Sequence, residues 1–362
     1  MRDYLKFYID GQWVDPVELR TLDVDNPTTE QVGGKIALGS SADVDKAVKA
    51  ARKAFGGWSV TSKEDRLDVL QAILDQYQKR VKDLADAVHE EMGAPPSLAA
   101  GPQVMMGLGH LSGAIDVLKN YNFEEQRGQT MVVKEPVGVC GLITPWNWPI
   151  NQIACKVFPA LAAGCTMVLK PSEVAPYSGQ IFTEIMDAAG LPAGVYNMVF
   201  GDGPGVGVAL SSHPGIDMVS FTGSTRAGIE VARNAAPTVK RVSQELGGKS
   251  PNIVLDDDAL AQSVAAGVAV MMMNSGQSCN APSRMLVPKT RMDEAVAVAK
   301  ATAEGVKVGD LSDSSAIGPV ASKVQFDKVQ GLINKGIEEG ATVVAGGPGR
   351  PDGLDTGYYV RP

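Results

Sequence analysis

The sequence predicts an α/β protein: a parallel sheet covered by helices, followed in the chain by a second α/β section. Three observations carry this. Short apolar runs alternate with helical stretches between residues 137 and 246, the pattern of a parallel sheet buried on both faces. The pattern restarts after Gly247-Gly248. Ahead of both, residues 42–119 keep a helical period.

In order along the chain, residues 5–15 read as a small hairpin, with Lys6-Phe7-Tyr8-Ile9, a turn at Asp10-Gly11, then Gln12-Trp13-Val14. Leu67, Leu70, Ile73, Leu74 and Tyr77 recur at helical spacing behind Thr61-x-x-Glu64, which reads as a capping box. Residues 121–134 are polar and read as a loop or hairpin. Strands follow at 137–143, 165–169, 195–200, 216–221 and 239–244, with helices at 150–163, up to Ala189, and at 225–236. The second section opens with a strand at 252–255 and a helix running to Met273. A loop at 274–283, a strand at 285–287 and helices near 291–304 and 321–339 come next. Strands near Thr342-Val343-Val344 and Tyr358-Tyr359-Val360 close the chain.

Composition excludes several classes. A net charge of −8 over 362 residues argues against nucleic acid or an acidic membrane surface as partner. The longest apolar run, Val264–Met273, is half of the roughly 20 residues a membrane span needs, so it reads as a buried segment. The start, Met1-Arg2-Asp3-Tyr4, lacks a signal peptide's apolar stretch, and the expected location is the cytoplasm. The four cysteines form no C-x-x-C, and the three histidines are scattered, so neither a metal centre nor a disulfide framework is expected.

Two phosphate-binding signatures fail. Gly201-Asp202-Gly203-Pro204-Gly205-Val206 ends on Val206 where G-x-G-x-x-G needs glycine, and Gly248-Lys249-Ser250 has Ser243 where a P-loop needs its first glycine. Phe221-Thr222-Gly223 followed by Ser224-Thr225 fits either a pyrophosphate seat at a helix start or a plain capped turn. Lys170-Pro171-Ser172-Glu173, after a buried strand, fits either a ribose clasp or a solvated loop. Cys140, Cys155 and Cys165 lie in apolar patterns and read as small core residues. Cys279 sits instead in a polar loop, Gly276-Gln277-Ser278-Cys279-Asn280, where a thiol can meet a substrate. A thiol that attacks a carbonyl needs a base or a partner that favours the thiolate, and Glu245 before Leu246-Gly247-Gly248 is the best candidate. Pro145-Trp146-Asn147-Trp148-Pro149 makes a rigid turn whose Asn147 amide can donate to an oxyanion. The Met271-Met272-Met273 run reads as core packing, with lining or supporting the pocket beside Asn280 as the alternative.

Taken together, these motifs resemble the aldehyde dehydrogenase superfamily, of the hydrolytic, NAD(P)-dependent type. The likeness runs from the hairpin at residue 5 to the last residue and rests on five motifs in order. They are Pro145–Pro149, Lys170–Glu173, Phe221–Thr225, Glu245-Leu246-Gly247-Gly248-Lys249-Ser250-Pro251, and Gly276–Cys279. The resemblance implies a Rossmann-like cofactor domain at 1–118 and 138–246, an oligomerisation hairpin at 119–137, and the first part of a catalytic domain at 247–362.

The same resemblance implies the roles. Cys279 attacks the aldehyde carbon, Asn147 and the Cys279 backbone N–H hold the oxyanion, and Glu245 activates the water that hydrolyses the thioester. Lys170 and Glu173 hold the adenosine ribose, with Ser172 beside them. Ser224, after Gly223, contacts the pyrophosphate. Thr144, Pro145, Trp146, Gly203, Phe221, Leu246 and Gly247 complete the cofactor cleft. Glu173 favours NAD over NADP, because a carboxylate accepts from a 2′-hydroxyl and repels a 2′-phosphate. Lys170 and Ser172 tolerate the phosphate if Glu173 swings away. The implied partners are a small aldehyde and further copies of the chain, as homodimer or homotetramer.

Family members continue well beyond Tyr358-Tyr359-Val360-Arg361-Pro362. The expectation is therefore a fragment or truncated product, with sheet edges unpaired and no turnover until the remainder is supplied. The alternative of a different class is a non-catalytic homologue that keeps a nucleotide-binding or assembly role.

Overall fold

The computed structural model describes residues 1–309, 311–313 and 316–362, which fall into two compact units. One comprises Met1–Val24, Gly33–Val88 and Ala100–Leu246; the other comprises Asp25–Val32, His89–Ala99 and Gly247–Pro362. Two stretches ahead of residue 118, 25–32 and 89–99, therefore group with the later section.

In the first unit the alternation of apolar runs becomes a seven-stranded sheet among the described residues. Its order is Arg241–Leu246, Met218–Gly223, Val139–Ile143, Thr166–Lys170, Tyr196–Met198, Phe7–Ile9 and Gln12–Val14. The first five run parallel. The N-terminal hairpin adds an antiparallel edge. Val139–Ile143 and Thr166–Lys170 are buried along their whole length, which is why they read as continuous apolar runs without alternation. From Val139–Ile143 the chain builds outward through 166–170 to 196–198, then returns to build the other way through 218–223 to 241–246. Open α/β sheets bind ligands beyond the carboxyl ends of the strands at such a reversal.

The helices follow the predicted periods with one correction. The capping box of Lys63–Lys79 is Ser62 with Asp65, one residue later than the expected Thr61 and Glu64. Thr61 is otherwise engaged: its hydroxyl donates to Trp58 O at 2.7 Å and accepts from Arg66 Nε at 3.0 Å. Residues 121–134 form the antiparallel pair Glu124–Arg127 and Thr130–Val133, with Gly128 in the left-handed region at the turn.

Of the three glycines in helix Val104–Asn120, Gly107 and Gly113 have opposite surroundings. A Cβ on Gly107 would sit 2.4 Å from Tyr77 Oη and 2.5 Å from Ile150 Cγ2, whereas Gly113 faces open space. Gly113→Ala is expected to raise the unfolding free energy by about 0.5–1 kcal/mol, since alanine loses less backbone entropy in a helix. Gly107→Ala is expected to lower it by about 1–3 kcal/mol through overpacking. Urea unfolding of the two variants, followed by circular dichroism, checks both signs.

The second unit holds the parallel pair Pro251–Ile253 and Arg284–Leu286 and the helices Leu260–Met272, Met292–Glu304 and Lys323–Glu338. Val254, Leu260, Val264 and Ala295 form its small core. Three expectations are corrected here. Residues 342–344 and 358–360 form no strands; Tyr358 spends its backbone groups on loops, donating to Pro27 O and accepting from Val320 N. The apolar run Val264–Met273 is not buried throughout, because only one helical face, carrying Val264 and Val268, is covered among the described residues. The methionines accordingly are not core residues: Met271 and Met272 are half-buried and Met273 is exposed. In the first unit, Cys140 and Cys165 are buried as expected, but Cys155 is only half-buried. Among the described residues, no helix is long and apolar enough to cross a membrane, and no three His, Cys, Asp or Glu side chains are grouped to hold a metal ion.

Candidate active site

In the first unit the predicted residues collect at the carboxyl ends of the parallel strands. After Val139–Ile143 come Thr144, Pro145, Trp146 and Asn147; the Thr144 N–H donates to Lys170 O at 3.2 Å and ties two strand ends together. Pro149 then opens the helix Pro149–Ala162, so the Pro-Trp-Asn-Trp turn is clamped between a buried strand and a helix start. Asn147 is half-buried, and its backbone carbonyl accepts from Gln103 Nε2 at 3.2 Å.

Lys170 ends the next strand and is 3% exposed. Its ammonium donates to Gly201 O at 2.7 Å, Glu173 Oε2 at 2.9 Å and Pro171 O at 3.0 Å. A buried ammonium must be paired to be tolerated, so this is a built clasp and no solvated loop. Burial works against the Glu173 carboxylate, yet the Lys170 charge and the residue's own backbone N–H outweigh it and hold Glu173 below the usual carboxylate range. Ser172 is buried and accepts from Val174 N at 3.2 Å.

On the other side of the reversal, a Cβ at Gly223 would lie 2.5 Å from Phe221 Cζ, so a side chain there would displace the ring. Ser224 caps the helix Thr225–Ala235, accepting from Ala227 N at 3.3 Å. Gly203 opens the turn after the Tyr196–Met198 strand, with Asp202 accepting from Gly205 N at 2.7 Å and open space over Gly203 itself. The hydroxyls of Thr144 and Thr222 are buried with no hydrogen-bond partner among the described residues. Buried hydroxyls at strand ends, a helix start and an unfilled glycine face fit a dinucleotide.

Glu245 lies within the edge strand Arg241–Leu246 in place of following it, opposite Thr222 in register, and is exposed. Its charge reaches a buried amine, Lys156, that belongs to none of the sequence motifs. Lys156 donates to Ser220 Oγ at 2.9 Å; burial pulls its pKa down while Cys155 and Glu245 pull it up. Burial pushes the Cys155 thiol up. A lone lysine inside the apolar helix 149–162 was the available signal for Lys156; none marked Gln103.

In the second unit, Gly247 has open space around it, and the Cβ of a residue at 248 would lie 3.6 Å from Cys279 O. Cys279 is half-buried in a turn that follows the helix Leu260–Met272 and the short turn Met273–Gly276. The predicted site residues thus divide by unit: Gly247 and Cys279 belong to the second, all others to the first.

The sequence profile of the aldehyde dehydrogenase family matches residues 13–362. The chain is 56% identical over 364 aligned positions to a 3-succinoylsemialdehyde-pyridine dehydrogenase of a Pseudomonas species, covering 100% of this chain and 76% of the relative. Two solved structures are similar. An aldehyde dehydrogenase from Bartonella henselae is 49% identical with a TM-score of 0.97, covering 100% of this chain and 77% of the other. A cysteine-to-alanine variant of aldehyde dehydrogenase C from Pseudomonas syringae, in complex with NAD+ and octanal, is 52% identical with a TM-score of 0.97, covering 99% and 74%.

Proposed function

The chain belongs to the aldehyde dehydrogenase family, and on that premise we propose that it oxidises an aldehyde to the free carboxylic acid, with NAD+ as hydride acceptor. The observation that carries this reading is the buried Lys170–Glu173 clasp at a strand's carboxyl end beside the reversal of the sheet. Lys170 and Glu173 would hold the adenosine ribose, and Gly223 with Ser224 the pyrophosphate. Thr144, Pro145, Trp146, Gly203, Phe221, Leu246 and Gly247 complete the cofactor's seat. The chemistry the bound nicotinamide supplies is acceptance of a hydride.

The protein's own groups do the rest. The Cys279 thiol releases its proton to solvent as its sulfur adds to the aldehyde carbon, while the Asn147 amide and the Cys279 backbone N–H donate to the carbonyl oxygen as it gains charge. Loss of hydride leaves a thioester on Cys279. Glu245 takes a proton from water, the resulting hydroxide attacks the thioester, and the acid departs as the thiol is restored. An acyl transfer to coenzyme A would not need that base, so Glu245 supports hydrolysis. The octanal held by one relative and the semialdehyde in the name of another support an aldehyde at the end of an extended group. The test is formation of NADH by the full-length protein over a panel of such aldehydes, with and without coenzyme A. A free acid is expected in both; an acyl-coenzyme A product would contradict hydrolysis.

Cofactor choice gives a separate expectation. The Glu173 carboxylate, kept ionised by Lys170, repels a 2′-phosphate. The kcat/KM with NAD+ is expected to exceed that with NADP+ on the order of ten-fold or more, each tenfold being about 1.4 kcal/mol. Glu173→Gln is expected to narrow the gap. Equal values in the unsubstituted protein would contradict this role.

A further inference from the structure

Three consecutive residues ahead of Cys279 are left-handed: Asn274 at φ 54°, Ser275 at φ 56° and Gly276 at φ 74°. Only the third is glycine. Asparagine is one of the few residues with a side chain that visits this conformation readily; for Ser275 it is strained and persists only where the surroundings impose it. Asn274 and Ser275 are the only adjacent pair among the five non-glycine residues with positive φ in the described chain, and they lie within five residues of Cys279.

Hydrogen bonds within and around the turn impose it. Gln277 closes the turn on itself: its N–H donates to Asn274 O at 3.1 Å, and its side-chain Nε2 donates to the same oxygen at 3.0 Å. Asn274 Nδ2 returns a bond to Gln277 O at 3.3 Å. Gln277 then fastens the turn outward, its Oε1 accepting from Ala321 N at 2.9 Å. Ser275 adds a second anchor, its hydroxyl donating to Gly318 O at 2.7 Å. The anchoring stretch is itself immobilised. Residues 318–321 are buried, and a Cβ on Gly318 would lie 2.1 Å from Gly93 O. A Cβ on Gly93 would in turn lie 2.4 Å from Pro319 Cγ. Val320 N–H donates to Tyr358 O at 3.0 Å.

We propose that Gln277 and Ser275 are positioning residues that bolt a strained turn to the 318–321 stretch and thereby fix the place of the Cys279 sulfur and backbone N–H. The inference rests on the reading of Cys279 as the nucleophile. One carboxamide serving both the turn and its anchor explains why a glutamine, with a donor and an acceptor on one planar group, stands two residues before the cysteine. Shifts of about an ångström at a reacting group cost rate steeply, so the strain is held where geometry matters.

The test uses the full-length protein with Gln277→Met, Gln277→Glu, Ser275→Ala and Ser275→Gly. Two readouts are taken. The first is the rate of Cys279 alkylation by iodoacetamide, resolved from that of Cys155 by peptide mass spectrometry. The second is kcat and KM, corrected for the folded fraction by thermal unfolding. Gln277→Met is expected to lower kcat and the Cys279 alkylation rate on the order of ten-fold or more. The KM for NAD+ and the Cys155 rate are expected to stay unchanged. Gln277→Glu keeps the acceptor for Ala321 N–H and loses the donor to Asn274 O, and should fall between. Ser275→Gly relieves the strain and removes the anchor, so it should unfold no earlier than Ser275→Ala while reacting as slowly. If the variants that fold keep kcat and Cys279 alkylation within about two-fold, positioning by this clasp is wrong. If Cys279→Ala retains turnover, the nucleophile assignment is wrong instead, and alkylation alone then judges the clasp.

Discussion

Cys279→Ala is expected to reduce aldehyde oxidation on the order of 10^4-fold or more, close to loss of detectable turnover. That is about 5 kcal/mol or more of transition-state stabilisation. The size follows from the chemistry. Without the thiol no covalent adduct forms, and hydride would have to leave an aldehyde hydrate without the protein's nucleophile. NAD+ binding should survive, because the residues assigned to the cofactor, Gly247 apart, lie in first-unit segments that exclude Cys279. Isothermal titration of NAD+ into the variant, beside a steady-state assay, separates the two. Retained turnover would remove Cys279 from the mechanism; loss of NAD+ affinity would mean the substitution acts through the fold.

Glu245→Gln is expected to give a different pattern. The amide cannot take a proton from water, so hydrolysis of the thioester should slow by about 10^2- to 10^4-fold while hydride transfer continues. Mixed rapidly with aldehyde and NAD+, the variant should release a burst of NADH close to one equivalent per site and then nearly stop. Unchanged steady-state turnover would show that another group activates the water. Addition of a small amine or thiol nucleophile should restore turnover in the variant, since it replaces the water that Glu245 would have activated.

Much of the fold was legible because its signals are local. The strands at 139–143 and 166–170 are buried on both faces, so their apolar runs needed no partner to be recognised. Boundaries were less legible. The strand expected to end at Gln244 carries on through Glu245 and Leu246, because the ladder with Met218–Gly223 continues to Gly223. The sequence points to a cap one residue ahead of Ser62 because Thr61 offers the same chemistry at neighbouring spacing. Tyr358–Val360 looks like a strand from its residue types, but pairing depends on distant chain, and its backbone bonds go to Pro27 and Val320.

The site divides in the same way. Lys170, Glu173, Gly223 and Ser224 were readable, since each ends a recognisable strand or follows it within three residues. What no local pattern shows is how a side chain far along the chain completes a group. Gln103 meets the Asn147 carbonyl from 44 residues away. Lys156 finds Ser220 from 64 residues away. The Gln277 acceptor finds Ala321 N–H from 44 residues away. Only the folded chain reveals these contacts.

In the proposed mechanism, oxidation passes through an acyl group on the Cys279 sulfur. The most direct measurement is peptide mass spectrometry of full-length Glu245→Gln protein, mixed with octanal and NAD+ and quenched in acid during the burst. The mass of one octanoyl group is expected on the peptide that contains Cys279, and none on those containing Cys140, Cys155 or Cys165. NADH formed with no acyl group on Cys279, or with the acyl group on another cysteine, would contradict it.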